Sequence, residues 1–136
     1  MPLSHTEISR HPLRRIARAV QAPATAYTAL AAAFSLLLIP LPDLPEAMSP
    51  LVNGAHIPLF ALIGLLVRSR LAATAGWGAD LATLAIGAAI GAGGELLQYW
   101  VPGRYPSFGD ELLDLVGLPF GIAACRLLIL PWRTDS

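Results

Sequence analysis

Six polar side chains in otherwise apolar surroundings are the residues of this sequence best suited to chemistry: His56, Glu95, Gln98, Arg104, Asp110 and Asp114. Carboxylates accept protons or bind cations, an imidazole exchanges protons near neutral pH, and a guanidinium binds phosphate or carboxylate. Glu95 and Gln98 lie three residues apart and Asp110 and Asp114 four apart, so each pair shares one face of a helix. Whether the six side chains form one site depends on the elements that position them.

The composition indicates an all-α membrane protein. Hydrophobic residues make up 55% and charged residues 13% of the 136 residues, and the mean hydropathy is +0.61. Soluble domains carry about 25% charged residues, so we expect lipid rather than water to cover the outside. Nine basic and nine acidic residues balance, which leaves no basic patch for nucleic acid. The single cysteine, Cys125, excludes an internal disulfide and a cysteine metal cage.

Four apolar segments predict a small bundle of four transmembrane helices, because about 20 apolar residues cross a bilayer core. The segments are residues 24–41, 52–67, 81–101 and 112–130. Prolines follow the first, third and fourth segments, where helices commonly end. The first segment also fits a cleaved signal peptide, since a basic region precedes it. Its long apolar run and the proline-rich turn that follows favour a retained helix.

This prediction divides the chain into three parts. Residues 1–22 are basic and form either a solvated tail or a helix at the membrane interface, since the apolar residues from Leu13 to Val20 share one helical face. Residues 23–131 form the membrane domain, and residues 132–136 form a short tail.

Arginine counts predict the orientation, because cytoplasmic segments of membrane proteins are enriched in basic residues. Eight of the nine arginines lie in the N-terminal tail, in the 68–80 loop and near the C-terminus, and Arg104 is the exception. We therefore expect a multi-pass protein of the cytoplasmic (inner) membrane with both termini cytoplasmic. The 40–54 and 102–111 loops are expected to face outward.

This topology places the six polar residues near the outward-facing end of the bundle. Glycines recur at helical spacing on the third and fourth spans, where they let helix backbones approach closely in lipid. These glycines are Gly87, Gly91 and Gly94, and Gly117 and Gly121. We expect the two spans to pack through them, so that the acids and Gln98 converge at the outer end of this seam. Arg104 is expected to pair with one of the carboxylates, and His56 to add a further donor.

Several of these residues also have structural explanations. Asp110 suits the N-cap of a helix, Gln98 suits a hydrogen bond between helices, and Arg104 suits the membrane interface. Glu111 is expected to complement a helix dipole, and Asp80 to be a solvated loop charge.

The stretch from Gly94 to Arg104, with Asp110, Gly117 and Gly121 after it, resembles the VanZ-like membrane protein family. The family signature is E-x-x-Q, a proline and an arginine, and then D-x-x-x-N-x-x-G-x-x-x-G. An upstream histidine on an earlier span completes it. The resemblance covers residues 30–130.

His56, with Phe60 four residues later, is similar to the H-x-x-x-[YF] feature of the family. The chain departs from the family pattern at Asp114, where the family usually has asparagine. It also departs at Val52 and Asn53, where the family often has an acid and a lysine.

The resemblance implies a protein of the cell envelope, because the founding member is associated with low-level resistance to the glycopeptide teicoplanin. Together with the outward-facing polar residues, this favours binding of a lipid, a lipid-linked envelope precursor or a lipoglycopeptide at the six-residue site. The lipid bilayer is the expected partner, and we expect no cofactor and no metal.

Two alternatives belong to other functional classes. An intramembrane enzyme acting on a lipid-linked phosphate would use His56 or Glu95 as general base and Arg104 to stabilise negative charge. Its histidine and acids could also hold a divalent metal. The sequence does not identify catalytic residues, so enzymatic activity is left open. A small transporter ranks third. Small multidrug exporters with four spans need a glutamate near the middle of the first span, and the first span here contains none. Glu95 also lies away from the middle of its span.

Overall fold

The computed structural model describes residues 12–40, 48–71 and 76–132, and all regular secondary structure in these ranges is helical. The helices are α1 (Pro12–Gln21), α2 (Pro23–Leu37), α3 (Ser49–Gly54), α4 (His56–Arg70), α5 (Trp77–Gln98) and α6 (Phe108–Ala124). A π-helical turn (Cys125–Ile129) and a 3-10 turn (Leu130–Trp132) extend α6. The all-α prediction is confirmed.

Three helical segments are long and apolar enough to cross a membrane: Pro50–Arg70, Trp77–Gln98 and Phe108–Ile129. They correspond to the second, third and fourth predicted spans. The first differs, because α2 has 15 residues, which is about 22 Å at 1.5 Å per residue. It passes the same test together with α1, across a bend of 73°. The structure thus supports three spans, or four if the bent pair is one span, and the orientation of the termini stays a prediction.

Helix α1 packs its apolar face against the end of α6. Ala17 is buried in one cluster with Cys125 and Ile129. Pro23, in the first turn of α2, has no N–H with which to continue the hydrogen bonds of α1, which explains why the chain bends there. The described part of residues 1–22 is therefore a helix, and its place at the membrane interface stays a prediction.

Helices α4 and α6 pack with their backbones in contact. A Cβ atom added to Gly64 on α4 would lie 2.8 Å from the carbonyl oxygen of Leu118. One added to Gly117 on α6 would lie 2.5 Å from the carbonyl oxygen of Ile57. Side chains do not fit at such distances, so glycine is required on both helices.

The prediction that the glycines of the fourth span face the third span is wrong. Gly117 and Gly121 face the backbone of α4. Helix α5 meets α6 through its own glycines, with Gly87 against the side chain of Leu118 and Gly91 against carboxylates in the first two turns of α6. The α5–α6 contact is therefore glycine against side chains, while the α4–α6 contact is backbone against backbone.

Apolar side chains fill the space between α2, α4 and α6. The buried members of this core are Ala33, Leu37, Phe60, Ile63, Val67 and Leu118. Burial of these side chains keeps the start of α4 beside the start of α6, where the polar residues lie.

A buried cluster of charged residues links α4, α5 and the turn after α6 at the end of the bundle away from His56. Arg68 is 2% exposed and donates from Nε to Asp80 Oδ1 at 2.8 Å. Arg126 pairs with the second oxygen of Asp80 and lies over the ring of Trp77, with 5.4 Å from Cζ to the ring centroid. Asp80 is therefore not the solvated loop charge that the sequence predicted. It lies in the first turn of α5, where the helix dipole favours an acid, and it is buried.

Replacing Asp80 with asparagine is expected to destabilise the fold by about 3–5 kcal/mol, because Arg68 would stay buried without its counter-charge. Thermal unfolding of the detergent-solubilised protein, followed by tryptophan fluorescence, measures the loss. Arg126→Ala is the comparison variant, since the Arg126 side chain is 39% exposed and its loss should cost about 1 kcal/mol. Equal losses in the two variants would contradict the dominance of the Arg68–Asp80 pair.

Gly121→Ala is expected to push α4 and α6 apart, because its Cβ would overlap the carbonyl oxygen of Ala61. Overpacking of this kind costs about 1–3 kcal/mol. Gly93→Ala on α5 is the matched control, since nothing lies within 4 Å of its added Cβ. The control should be neutral or slightly stabilising, because alanine favours the helix. Equal destabilisation of both variants in the same unfolding assay would refute the close contact.

Candidate functional site

His56 and Asp114 form a buried pair near the starts of α4 and α6. His56 Nδ1 lies 2.7 Å from Asp114 Oδ1, and the two residues are 4% and 1% exposed. The pair follows from the glycine packing, because Gly117 brings α6 onto the backbone of Ile57, the neighbour of His56. In a neutral imidazole, Nδ1–H donates to the carboxylate and Nε2 keeps its lone pair. Asp114 therefore determines which histidine nitrogen faces a ligand.

Phe60 fixes the orientation of the His56 ring. The two rings are nearly parallel, with 4° between their planes and 6.4 Å between their centroids. Phe60 is completely buried in the core, so it holds its position. The imidazole is thus held by a hydrogen bond at one edge and by the packed Phe60 ring one turn along the helix, as a preorganised site requires.

Glu95 lies one turn before the end of α5 and reaches the start of α6. Its Oε2 accepts a hydrogen bond from the backbone N–H of Ser107 at 2.6 Å. Ser107 directly precedes α6, so the carboxylate lies at the positive end of the α6 dipole. This bond joins the end of α5 to the loop that leads into α6.

Asp110, in the first turn of α6, completes a cluster with His56 and Glu95. It is 8% exposed, and its Oδ1 is buried with no hydrogen-bond partner among the described residues. One possible ligand atom from each of His56, Glu95 and Asp110 lies within 4.8 Å of the others. Three helices contribute one residue each, so the cluster exists because the bundle packs as it does. A buried carboxylate oxygen without a partner is costly, which marks this place as suitable for a ligand.

Gln98 and Arg104 bind the end of α2 instead of the cluster. Gln98 Nε2 donates to the carbonyl oxygen of Leu37 at 3.0 Å. Arg104 donates from Nε to the carbonyl oxygen of Ile39 at 3.1 Å and from a terminal nitrogen to that of Leu36 at 3.4 Å. Carbonyls at a helix end lack intrahelical partners, and these two side chains supply them. Among the described residues, the expected pairing of Arg104 with a carboxylate is not observed.

Two further carboxylates make this end of the bundle acidic. Glu111 and Asp114 lie beside Gly91, where an added Cβ would be 2.7 and 2.8 Å from their oxygens. Glu111 Oε2 is buried and has no hydrogen-bond partner within the described ranges. The local sequence predicts only a helix-dipole role for Glu111, because nothing in it shows that a glycine of α5 leaves room for the carboxylate. In the same ranges no arginine is paired with any of these acids, so the cluster attracts cations and hydrogen-bond donors.

Two grooves border the cluster. The first, of about 650 Å³, lies between the end of α5 and the start of α6. It is lined by Glu95, Glu111, Ser107 and the apolar side chains of Leu96, Tyr99, Trp100, Pro106 and Phe108. The second, of about 410 Å³, lies between α2 and α4 and is lined by His56, Arg104 and apolar residues that include Leu37 and Val52. A ligand can therefore approach Glu95 from one groove and His56 from the other.

The helices and the cluster define a multi-pass helical membrane protein with a buried acid–histidine site at one end of its bundle. The family model for VanZ/LLP1 matches residues 4–129, and the chain belongs to this family. This confirms the resemblance seen in the sequence. Comparisons with curated proteins and with solved structures gave no match.

Asp114→Ala is expected to lower the free energy of unfolding by about 1–3 kcal/mol, because it leaves buried His56 without its hydrogen-bond partner. Asp114→Asn keeps an oxygen acceptor and should cost less. A double-mutant cycle with His56→Ala in the unfolding assay isolates the coupling, expected at about 1–2 kcal/mol. Additive effects of the two alanine substitutions would show that the pair contributes no coupling.

Proposed function

We propose that this VanZ/LLP1-family protein binds a membrane lipid or a lipid-linked envelope group at the end of the bundle that is predicted to face outward. The observation that carries the proposal is the groove of about 650 Å³, where an apolar wall meets two carboxylates. Its size suits a small-molecule ligand. Its lining of apolar side chains and carboxylates suits an amphipathic ligand.

The apolar wall of this groove supports binding of acyl or prenyl chains. Leu96, Tyr99, Trp100 and Phe108 are between 64% and 79% exposed. The rings of Tyr99 and Trp100 meet edge to face with 5.5 Å between centroids. Tyrosine and tryptophan are enriched at the membrane interface, where one end of the ligand would lie in the acyl region and the other in the headgroup region.

The carboxylates of the groove favour a headgroup that donates hydrogen bonds. Glu95 and Glu111 can accept from hydroxyl or ammonium groups, which are plentiful in lipid-linked sugars and in lipoglycopeptides such as teicoplanin. Arg104, which was expected to contact a phosphate or a carboxylate, donates to carbonyls at and just after the end of α2. The proposal therefore rests on the acids, and Arg104 has a supporting role in holding α2.

A second candidate is an intramembrane enzyme. The observation that favours it is the hydrogen bond of 2.7 Å between His56 and Asp114, since a carboxylate that orients an imidazole is the arrangement of many general bases. His56 would then activate water against a lipid-linked substrate. Turnover of envelope lipids, followed by mass spectrometry and abolished by His56→Gln, would favour this candidate over simple binding.

Lipid binding is expected to fall about tenfold or more in Glu95→Gln, because a hydrogen bond to a charged group contributes about 1.5–3 kcal/mol. Trp100→Ala should weaken binding through lost contact area. The measurement is the amount and identity of lipid that co-purifies with the full-length protein in detergent, determined by mass spectrometry.

Tyr27→Ala is the matched control for Trp100→Ala. Tyr27 is an exposed aromatic residue on α2 that does not line the groove, so its removal should leave the bound lipid unchanged. In cells, teicoplanin and vancomycin susceptibility are compared, and the parent chain should raise tolerance to teicoplanin while Glu95→Gln should remove the effect. Equal lipid occupancy in the parent and both groove variants would refute the proposal.

A further inference from the structure

We propose that His56, Glu95 and Asp110 bind a divalent metal ion of the Zn²⁺ or Mn²⁺ type where α4, α5 and α6 meet. The three candidate ligand atoms lie within 4.8 Å of one another. The metal site requires no lipid, so it stands or falls separately from the function proposed above. It departs from the expectation of no metal that accompanied lipid binding, and it develops the divalent-metal site that the enzyme alternative allowed.

The donor set selects the class of ion. It offers one imidazole nitrogen and two carboxylates, one from each of three helices. Imidazole favours Zn²⁺ and related transition metals, and carboxylates are shared by Zn²⁺ and Mn²⁺, whereas Mg²⁺ and Ca²⁺ prefer oxygen alone. Three protein ligands leave a position open for water or for an oxygen atom of another molecule.

The unpartnered oxygen of Asp110 points independently to a cation. Asp110 is 8% exposed, and its Oδ1 has no hydrogen-bond partner in the part of the chain that the structure describes. A carboxylate has several lone pairs to satisfy, and burial removes the water that would otherwise satisfy them. A metal ion between Asp110, His56 and Glu95 would fill this need.

Asp114 supplies the support that a metal-binding histidine requires. It accepts the hydrogen bond from His56 Nδ1 at 2.7 Å, so Nε2 of a neutral ring is left to bind the ion. Metal-bound histidines almost always donate their other N–H to a carboxylate, a carbonyl or water. Asp114 is thus a positioning residue in this proposal, and the packed ring of Phe60 restricts the same imidazole.

The charge balance of the cluster also favours a cation. Glu95, Asp110, Glu111 and Asp114 gather around one histidine. Two arginines in the described ranges pair with Asp80 at the other end of the bundle, and Arg104 binds the end of α2. A divalent ion would offset the mutual repulsion of these carboxylates.

The geometry needs a small closure. In tetrahedral geometry, bonds of about 2.1 Å place two ligand atoms of one ion about 3.4 Å apart. The widest pair of the cluster, which lies within 4.8 Å, must therefore approach by up to about 1.4 Å. Side-chain rotation of Glu95 provides it, since Glu95 is half-buried at the rim of a groove. Its Oε2 accepts from Ser107, and the carboxylate keeps capacity for a further bond.

Equilibrium dialysis of the purified full-length protein, stripped with chelator and then exposed to Zn²⁺ or Mn²⁺, tests the site. We expect one ion per chain. His56→Gln and Asp110→Asn should each weaken binding at least about tenfold, and Asp114→Asn about tenfold, as is usual for a residue that orients a metal ligand. Bound Co²⁺ should show visible absorption bands that change in the His56→Gln variant, which a purely structural role of His56 would not produce.

Glu111→Gln separates ligation from diffuse attraction, because Glu111 follows Asp110 on the same helix and lies outside the three-residue set. It removes a nearby negative charge without removing a ligand, so it should weaken metal binding clearly less than Asp110→Asn does. Thermal unfolding of each variant without metal identifies those that fail to fold, and affinities are compared among the folded variants. The proposal is overturned if the folded Asp110→Asn variant binds as tightly as the parent. It is equally overturned if Glu111→Gln and Asp110→Asn lose the same affinity, since that would indicate diffuse attraction to acidic groups, or if the parent binds less than one ion per chain.

Discussion

The backbone contact between α4 and α6 is the constraint on which the site depends. Gly64 and Gly117 allow carbonyl groups of one helix to lie against the Cα positions of the other. In lipid, this contact gains little from hydrophobic burial, because acyl chains are as apolar as the side chains they replace. Close packing and buried hydrogen bonds must therefore hold the helices together. The distance between His56 and Asp114 is set by glycines about one or more turns away. A change in the packing of α4 against α6 would therefore also change the geometry of the cluster.

The end of α2 explains why two polar residues of the family signature serve the scaffold. The chain leaves α2 with carbonyl groups that no helical N–H can reach. Gln98 and Arg104 donate to three of these carbonyls. In doing so they attach α2 to α5 and to the loop that follows it. No arginine in the described part of the chain pairs with Glu95, Asp110 or Glu111, which leaves these acids able to bind something else.

Apolar segments and their order along the chain are enough to predict most of the helices and the end of the bundle at which each polar residue lies, because an apolar helix is recognised without reference to its neighbours. They do not show which neighbour a helix face meets. The glycines of α6 were assigned to the wrong partner for this reason, since a stripe of small residues fits any other helix. Arg104 was placed with nearby acids, while its partner Ile39 lies 65 residues earlier in the chain. Asp80 looked solvated because its arginine partners come from two other helices.

The charge clusters described above lie at opposite ends of the bundle, and this gives the protein an electric dipole along its long axis. One end holds Arg68 and Arg126 around a single acid, and the other holds Glu95, Asp110 and Asp114 around a single histidine. A charge that crosses the full membrane potential changes in energy by about 2.3 kcal/mol per 100 mV. In the orientation that the arginine counts predict, the arginine end lies on the negative side and a resting potential would stabilise the inserted protein. A cation that binds the acidic end, as proposed above, would then enter from outside and move partly down the same field, so its affinity would rise as the membrane becomes more polarised.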